Sequence, residues 1–311
     1  MSEEGNDPQD PFEIYNEALE CLDEFGDYDP DRGVELLKKA AKLGDHHAMA
    51  MLAQLYGEGE LVEQDKNRAF KLISRAVEIE EDPQYLWTKG FMMLYGEGTR
   101  QKVDAGVSLI QKASDDGCVE ATTALGVLYL NGDLVGQDVD KAIALLEKSA
   151  EADSPEALHN LGFVYDLGEH VGRDVEKAVG YYRRAVELGN PRSAINLAML
   201  VEDGDVEMER DEFMDLMDLV FSNDMTESFF HTYKYLSIKG EAEEAEEYLQ
   251  MGIDAMDEMC LFEKAVRLAK TEDDFEEGLK ILIDLADRGY EPAIEVLEMS
   301  EDATDVPSDD D

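Results

Sequence analysis

The sequence is poor in positive charge and in cysteine. Its 27 Lys and Arg stand against 75 Asp and Glu, which gives a formal net charge of −48 over 311 residues. A nucleic-acid-binding surface needs a basic stripe that this composition does not supply, so nucleic acid is not an expected partner. Cys21, Cys118 and Cys260 are too far apart for a CxxC metal or redox site or a disulfide framework, and we expect buried thiols.

Apolar residues are plentiful but never form a long run. They make up 44% of the chain, enough for a large core. No segment approaches the roughly 20 apolar residues that span a bilayer. The N-terminal stretch MSEEGNDPQDPFE is acidic where a signal peptide would be basic. We therefore expect a cytoplasmic protein that does not enter a membrane.

Motifs of catalysis and cofactor binding are missing as well. The sequence has no GxGxxG or GxxxxGK[ST] phosphate loop and no GxSxG nucleophile motif. His46 and His47 are adjacent and diverge by about a hundred degrees on a helix, so they cannot chelate together. The segment Asp27–Gly33 resembles the start of a calcium loop, but Lys38 stands where a bidentate glutamate is needed. The sequence predicts no enzyme, no metal and no cofactor.

What the sequence does contain is an internal repeat. The pentapeptide LYGEG occurs at Leu55–Gly59 and again at Leu94–Gly98. Glycines follow at intervals of 39, 34, 36 and 36 residues, at Gly59, Gly98, Gly132, Gly168 and Gly204. Small residues at Gly33, Ala69, Gly106, Ala142 and Ala178 each open an apolar stripe with helical spacing. A period near 36 residues with this spacing predicts a unit of two helices.

The residues at the ends of the predicted helices agree with this unit. An aspartate lies four residues before the small residue of most second helices, where it can cap the first turn: Asp29, Asp65, Asp138 and Asp174. Lys102 stands in that place in the remaining unit. First helices are predicted to begin at Asp82-Pro83, Ser154-Pro155 and Asn190-Pro191, and second helices to end at Gly44, Gly117 and Gly189.

Small residues also suggest how the units pack. Two helices approach closely only where one offers Ala or Gly to a bulky side chain of the other. One such pair cannot bury its apolar faces alone, so the units must stack. The predicted fold class is all-α, an α/α solenoid (superhelix) of stacked antiparallel helix pairs.

The segment Ser154–Asn190 resembles a Sel1-like repeat, a relative of the tetratricopeptide repeat. The resemblance covers about Gly33–Gly204, with Met92 where the small glycine of the third unit is expected. We therefore divide the chain into a repeat array at 11–204 and degenerate helical repeats at 205–299 that complete and cap it. The acidic ends, 1–10 and 300–311, are predicted to be disordered.

In tetratricopeptide-like arrays the first helices line a concave groove. The resemblance implies that positions three before and one after the small residue face this groove, counted from Ala53, Met92, Gly126, Gly162 and Ala198. These positions are Ala50, Gln54, Lys89, Met93, Thr123, Val127, His159, Phe163, Ile195 and Met199. Asn160 and Asn196 lie beside them and are predicted to clamp a peptide backbone. An alternative is that these side chains belong to the core of a tightly wound superhelix.

This row predicts an interaction scaffold or adaptor. An apolar groove with an acidic border suits a peptide or amphipathic helix with basic flanks. A different hypothesis is an acidic electrostatic sink, acting through surface charge as a chaperone for basic proteins or as a nucleic-acid mimic. The sequence indicates no oligomeric state.

Overall fold

The protein is helical throughout the part that the structure describes. The computed structural model describes residues 10–304, and within them it contains seventeen α-helices and no β-strand. None of these helices combines the length and the apolar character of a segment that crosses a membrane. Their bounds are α1 Pro11–Leu22, α2 Pro30–Leu43, α3 His46–Glu58, α4 Lys66–Ile79, α5 Pro83–Tyr95, α6 Val103–Asp115, α7 Val119–Asn131, α8 Val139–Glu151, α9 Pro155–Leu167, α10 Val175–Glu187, α11 Pro191–Glu202, α12 Arg210–Ser222, α13 Glu227–Lys239, α14 Ala242–Asp254, α15 Glu258–Leu268, α16 Phe275–Asp287 and α17 Glu291–Thr304.

Consecutive helices form pairs. From α1 to α16, each odd-numbered helix is called the first helix and the even-numbered helix that follows it the second helix. The two pack together, as in α3 with α4, α5 with α6 and α13 with α14. The chain forms two compact units, Met1–Ala157 (unit 1) and Leu158–Asp311 (unit 2). The predicted all-α fold of repeated helix pairs is confirmed. The domain boundary placed at residue 204 stays a prediction.

Most of both acidic ends lies outside the described residues, namely 1–9 and 305–311. The predicted disorder of these ends stays a prediction, and the structure describes one contact and one helix end at their inner borders. Asp10 caps α1, since its carboxylate accepts a hydrogen bond from the Phe12 N–H at 3.1 Å. At the other end, α17 extends to Thr304, past the predicted end of the helical region.

Glycine and alanine bring the two helices of a pair into contact at the backbone. In the third pair, a Cβ atom on Gly106 would lie 2.7 Å from Leu94 N and 2.8 Å from Gly90 O. In the fourth pair, a Cβ atom on Gly126 would lie 2.8 Å from the Leu146 side chain. A larger residue at Gly106 would meet backbone atoms, and one at Gly126 would displace the Leu146 side chain, which agrees with the role predicted for the small residues.

The predicted helix caps are present. Each capping aspartate accepts a hydrogen bond from the backbone N–H three residues later, at distances of 2.9–3.2 Å for Asp29, Asp65, Asp138 and Asp174. Lys102 makes no such bond, although its backbone (φ −143°, ψ 79°) matches that of Asp65 (φ −143°, ψ 84°). The second helix of the third pair therefore lacks the side-chain cap of its neighbours.

The two LYGEG copies are not structurally equivalent. In the first copy α3 continues to Glu58, and Gly59 ends it in the left-handed conformation with φ of 83°. In the second copy α5 already ends at Tyr95, and Gly96 takes that conformation with φ of 76°. The structural counterpart of Gly59 is therefore Gly96, two residues earlier than the matching letters indicate.

Hydrogen bonds between the end of the first helix and the start of the second fix the same register. The Asp65 N–H donates to Tyr56 O at 2.9 Å, and the Lys102 N–H donates to Met93 O at 2.8 Å. Met93 thus takes the place of Tyr56, and this explains why it is buried. Side chains from the connecting loops also bind carbonyls of the preceding first helix in a matching series: Gln64 to Gly57, Gln101 to Leu94, Gln137 to Leu130 and Arg173 to Asp166.

The small residue of α5 is consequently Gly90, which corrects the assignment of Met92. Gly90 lies against α6, where a Cβ atom would be 3.0 Å from Gly106 O. It precedes Gly106 by the same 16 residues that separate Ala53 from Ala69. Met92 is a buried side chain of the neighbouring core.

A tyrosine with a cation above its ring recurs in three pairs. The distances from cation to ring centre are 4.3 Å for Arg68 and Tyr56, 3.9 Å for Lys141 and Tyr129, and 4.6 Å for Lys177 and Tyr165. Such contacts stabilise by about 0.5–1 kcal/mol at exposed sites. The third pair has Met93 and Ala105 at these positions, so it lacks the contact.

The inequivalence of the LYGEG copies predicts opposite effects for one substitution. Gly57→Ala should raise the free energy of unfolding by about 0.5–1 kcal/mol, because Gly57 is helical and no atom lies within 4 Å of an added Cβ. Gly96→Ala should lower it by about 1–2 kcal/mol, because Gly96 has a left-handed backbone. Urea unfolding followed by circular dichroism measures both. Shifts of the same sign would contradict the register of α5.

The missing cap predicts a stabilising substitution. Lys102→Asn should raise the free energy of unfolding by about 1 kcal/mol, because the backbone already has the capping conformation. Lys102→Gln is the matched control, since it removes the same charge but supplies a poor cap. Equal unfolding midpoints for the two variants in urea would show that the cap does not form.

Candidate functional site

The corrected register changes the predicted row on α5. Positions three before and one after Gly90 are Trp87 and Phe91, whereas Lys89 and Met93 lie off this row. Met93 is 9% exposed and belongs to the core, and Lys89 is half-buried. Of the two alternatives considered for the row residues, groove or core, Met93 therefore follows the second.

On the neighbouring first helices of unit 1, the predicted row residues differ in exposure. On α3, Gln54 is exposed and Ala50 is half-buried. On α7, Val127 is half-buried, but Thr123 is buried and its hydroxyl lies 3.3 Å from Ser154 Oγ. Thr123 is thus a second predicted site residue that lies in the core.

Three aromatic side chains form a continuous surface on α5, which we call the aromatic stripe: Trp87, Phe91 and Tyr95. Their spacing of four residues places them on one helix face. The Trp87 and Phe91 ring centres are 5.4 Å apart in an edge-on arrangement, and those of Phe91 and Tyr95 are 4.7 Å apart. Phe91 and Tyr95 are exposed, while Trp87 is half-buried against the core. The stripe offers a large, rigid apolar surface.

A cavity of about 390 Å³, which we call the first-helix pocket, lies between α3 and α5 in unit 1. It is lined by Tyr15, His47, Ala50, Met51, Gln54, Ile73, Gln84, Tyr85 and Thr88. Two of these, Ala50 and Gln54, are predicted row residues. The size of the pocket and its mixture of aromatic, apolar and amide groups suit a single side chain of a bound segment.

An aromatic cluster forms one wall of the first-helix pocket. The His46 and His47 rings are 4.0 Å apart, and Tyr15 stacks on His47 at 5.5 Å. His46 Nδ1 lies 3.3 Å from the Tyr85 hydroxyl, and its Nε2 lies 3.1 Å from a Glu80 carboxylate oxygen. Burial, reinforced by nearby carboxylates, raises the pKa of Tyr85 to about 12, so its phenol stays protonated at neutral pH.

Unit 2 has its own row on α9 and α11. Phe163 and Met199 are exposed, whereas His159 and Ile195 are half-buried. A contact of 3.0 Å between His159 Nδ1 and Ser193 Oγ joins the two helices at this face. Gly162 is the small residue of α9, since a Cβ atom on it would lie 2.5 Å from the Tyr182 ring of α10. That this row lines a groove stays a prediction.

The two asparagines beside this row are both half-buried. Asn196 donates a hydrogen bond from Nδ2 to the hydroxyl of fully buried Tyr182 at 2.9 Å. Burial and the nearby Asp166 carboxylate raise the pKa of that hydroxyl. The Asn196 amide thus supports the core of unit 2, and Asn160 also has a partner within the chain.

Groups suited to catalysis or metal binding are sparse in the described part of the chain. Across residues 10–304, no three His, Cys, Asp or Glu side chains converge closely enough to hold a metal ion. All three cysteines are buried and free, as predicted. Burial raises the pKa of Cys118 to about 11 and also raises that of Cys260, so neither thiol is activated as a nucleophile.

The repeats and their geometry define a helical repeat protein. The family model of the Sel1 repeat matches residues 23–45, 46–78, 90–118, 119–154 and 155–190, about half of the chain. The chain belongs to the Sel1 repeat family, which confirms the resemblance found in the sequence. Sel1 repeats commonly form protein-interaction scaffolds and are generally not enzymes.

Two of the solved structures that resemble the chain have TM-scores above 0.5 and share its fold at low sequence identity. A Sel1 repeat protein from Oxalobacter formigenes is 21% identical, with a TM-score of 0.63, over 79% of this chain and 98% of that chain. Human IFIT1, solved as a dimer with PPP-AAAA, is 16% identical, with a TM-score of 0.56, over 95% and 73%. The immunity protein Pa5087 from Pseudomonas aeruginosa is 25% identical, with a TM-score of 0.47, over 75% and 83%. No curated protein matches the sequence.

The position of Asn196 predicts a measurable contribution to stability. Asn196→Ala should lower the free energy of unfolding by about 1–2 kcal/mol, because it removes the hydrogen bond to the buried Tyr182 hydroxyl. In a Tyr182→Phe background the same substitution should cost less. The wild type, the two single variants and the double variant form a double-mutant cycle, and denaturant unfolding of these four proteins gives the coupling energy between Asn196 and Tyr182. A coupling of zero would mean that the hydrogen bond does not contribute.

Proposed function

We propose that this protein is a non-enzymatic scaffold that binds a partner peptide or amphipathic helix on its first helices. The observation that carries the proposal is the aromatic stripe, in which Phe91 and Tyr95 are exposed and Trp87 is half-buried. Aromatic side chains dominate binding energy at interfaces because they present a large area and lose little conformational freedom.

The first-helix pocket adds a place for one side chain of the partner segment. It adjoins the row at Ala50 and Gln54, and α5 contributes to both the pocket and the stripe. The amides of Gln54 and Gln84 provide donors and acceptors for the backbone of a segment that lies across the pocket. An apolar anchor with a few polar groups around it is a common design of such sites.

The charge of the chain favours a partner with basic flanks. With 75 acidic and 27 basic residues, the protein attracts cationic segments and repels phosphate backbones. Glu58, Glu80 and Asp82 lie near the ends of the helices that form the pocket. We therefore do not extend the PPP-AAAA ligand of the human IFIT1 structure to this protein.

The row of unit 2 is proposed as a separate surface for binding a partner segment. Phe163 and Met199 supply exposed apolar surface, and His159 and Ile195 lie at its base. The thioether of Met199 lets such a surface adapt to different sequences. Asn160 and Asn196 would contribute to this site through their position beside the row, in addition to their contacts within the chain.

The test uses the double variant Phe91→Ala/Tyr95→Ala. A partner captured by the wild-type protein from the source lysate should survive a wash at about 0.5 M salt and be lost with this variant. Binding of the purified partner segment should weaken at least about tenfold, since aromatic anchors contribute about 2 kcal/mol or more. Trp87 is the single tryptophan, so a change in its fluorescence reports binding at the stripe.

The matched control is Leu43→Ala/Ile79→Ala, which removes two similarly exposed apolar side chains from second helices of unit 1. This control should bind the partner as the wild type does. A set of basic proteins retained by all three proteins and released by salt would instead favour the acidic electrostatic sink.

A further inference from the structure

A second apolar cavity lies in unit 2, between two consecutive second helices. Its volume is about 210 Å³. Met214 and Phe221 of α12, Phe229 and Thr232 of α13, and Tyr248 and Met251 of α14 line it, and we call it the α12–α14 cleft. None of these residues belongs to the rows on the first helices described above.

The surface of the cleft is apolar and accessible. Phe221 is 56% exposed and Met251 is 49% exposed, and the Phe221 ring meets Phe229 edge-on at 5.4 Å. The polar groups at the base are satisfied within α13, since Thr232 Oγ1 donates to Ser228 O at 2.7 Å. The Ser228 hydroxyl donates to Met225 O at 3.3 Å. These two hydroxyls at the base therefore already have acceptors, and the cleft favours an apolar side chain.

The two helices that border the cleft are almost free of positive charge. Arg210 is the sole basic residue of α12, and it is bound by the carboxylates of Glu241 and Glu244. The second helix α14 has none. This differs from the preceding second helix α10, whose sequence VEKAVGYYRRAVE contains three basic residues.

Carboxylates take the place of those basic residues at the border of the cleft. Asp218 lines the cleft itself. Burial, together with the charges of Glu244 and Asp218, raises the pKa of Tyr248. An apolar cavity with an acidic border is complementary to a peptide in which basic residues flank an apolar side chain.

We propose that the α12–α14 cleft binds a basic amphipathic segment of a partner protein, which inserts one bulky apolar side chain between Phe221 and Met251. Its lysine or arginine side chains pair with Asp218 in the lining and with Glu247 next to Tyr248. Met214 and Met251 adapt the cavity to the inserted side chain, as methionines do on other promiscuous surfaces. This site is independent of the stripe on α5.

A defined probe tests the proposal. It is a fluorescein-labelled 18-residue peptide of Leu, Phe and Lys whose order makes an amphipathic helix, and its binding is followed by fluorescence anisotropy. Phe221→Ala/Met251→Ala should weaken binding at least tenfold. The control Phe275→Ala/Ile283→Ala removes side chains of α16 that are 49% and 46% exposed, and it should change binding less than twofold.

Two further comparisons separate the cleft from general charge attraction and from the stripe. A scrambled peptide of the same composition should bind at least tenfold more weakly. In a Phe91→Ala/Tyr95→Ala background, which removes the stripe as a second binding surface, Phe221→Ala/Met251→Ala should still weaken binding of the amphipathic peptide at least tenfold. Equal binding of the scrambled peptide, or no loss with Phe221→Ala/Met251→Ala, would overturn the proposal.

Methionine methyl NMR locates the bound peptide directly. Among the 14 methionines, the signals of Met214, Met217 and Met251 should shift on titration. Shifts confined to methionines of unit 1 would place the peptide elsewhere and refute the cleft. Concentration-dependent shifts of the same three signals without peptide would identify a second copy of the chain as the occupant, which would also overturn the proposal.

Discussion

The close contact between the first and second helix of each pair is the constraint on which the other features depend. At the crossing of Gly90 and Gly106 the backbones themselves are in contact, and no Cβ atom fits on either residue. Such a contact fixes the rotation of the first helix about its own axis. Since the rotation is fixed, the side chains one position after the small residue always emerge on the same face, and this gives the row of candidate binding residues.

Much of this architecture was predictable because it depends on local interactions. The capping aspartates, the Asp-Pro and Asn-Pro helix starts and the left-handed glycines act within a few residues of their own position in the sequence. Asp138 caps α8 and Gly44 ends α2, and both follow from the sequence alone. The helix pairs, their period and the family therefore follow from the sequence.

The register of α5 did not follow in the same way. Glycine serves two purposes in LYGEG, since Gly57 continues a helix and Gly96 ends one, and identical letters hide this difference. The constant separation of 16 residues between the small residues of a pair is the signal that locates Gly90 and, with it, Trp87 and Phe91. The role of Asn196 was less accessible, because its partner Tyr182 lies on a different helix.

The excess of acidic charge affects how the protein presents its apolar surface. Basic residues are few, and several of them lie over tyrosine rings or between carboxylates, as Lys141 and Arg210 do. With 27 basic residues against 75 acidic ones, they neutralise only part of the acidic charge. The net charge of −48 makes copies of the chain repel one another. This repulsion opposes self-association through the exposed aromatic and methionine side chains.

The third pair shows what the loss of repeated contacts allows. Lys102, Met93 and Ala105 replace the cap, the tyrosine and the cation that other pairs share, while the backbone crossing with α6 persists. This same pair carries the aromatic stripe. In evolutionary terms, a copy held in position by its glycines and its neighbours has fewer requirements on the rest of its sequence, so it is the copy in which a duplicated array can specialise.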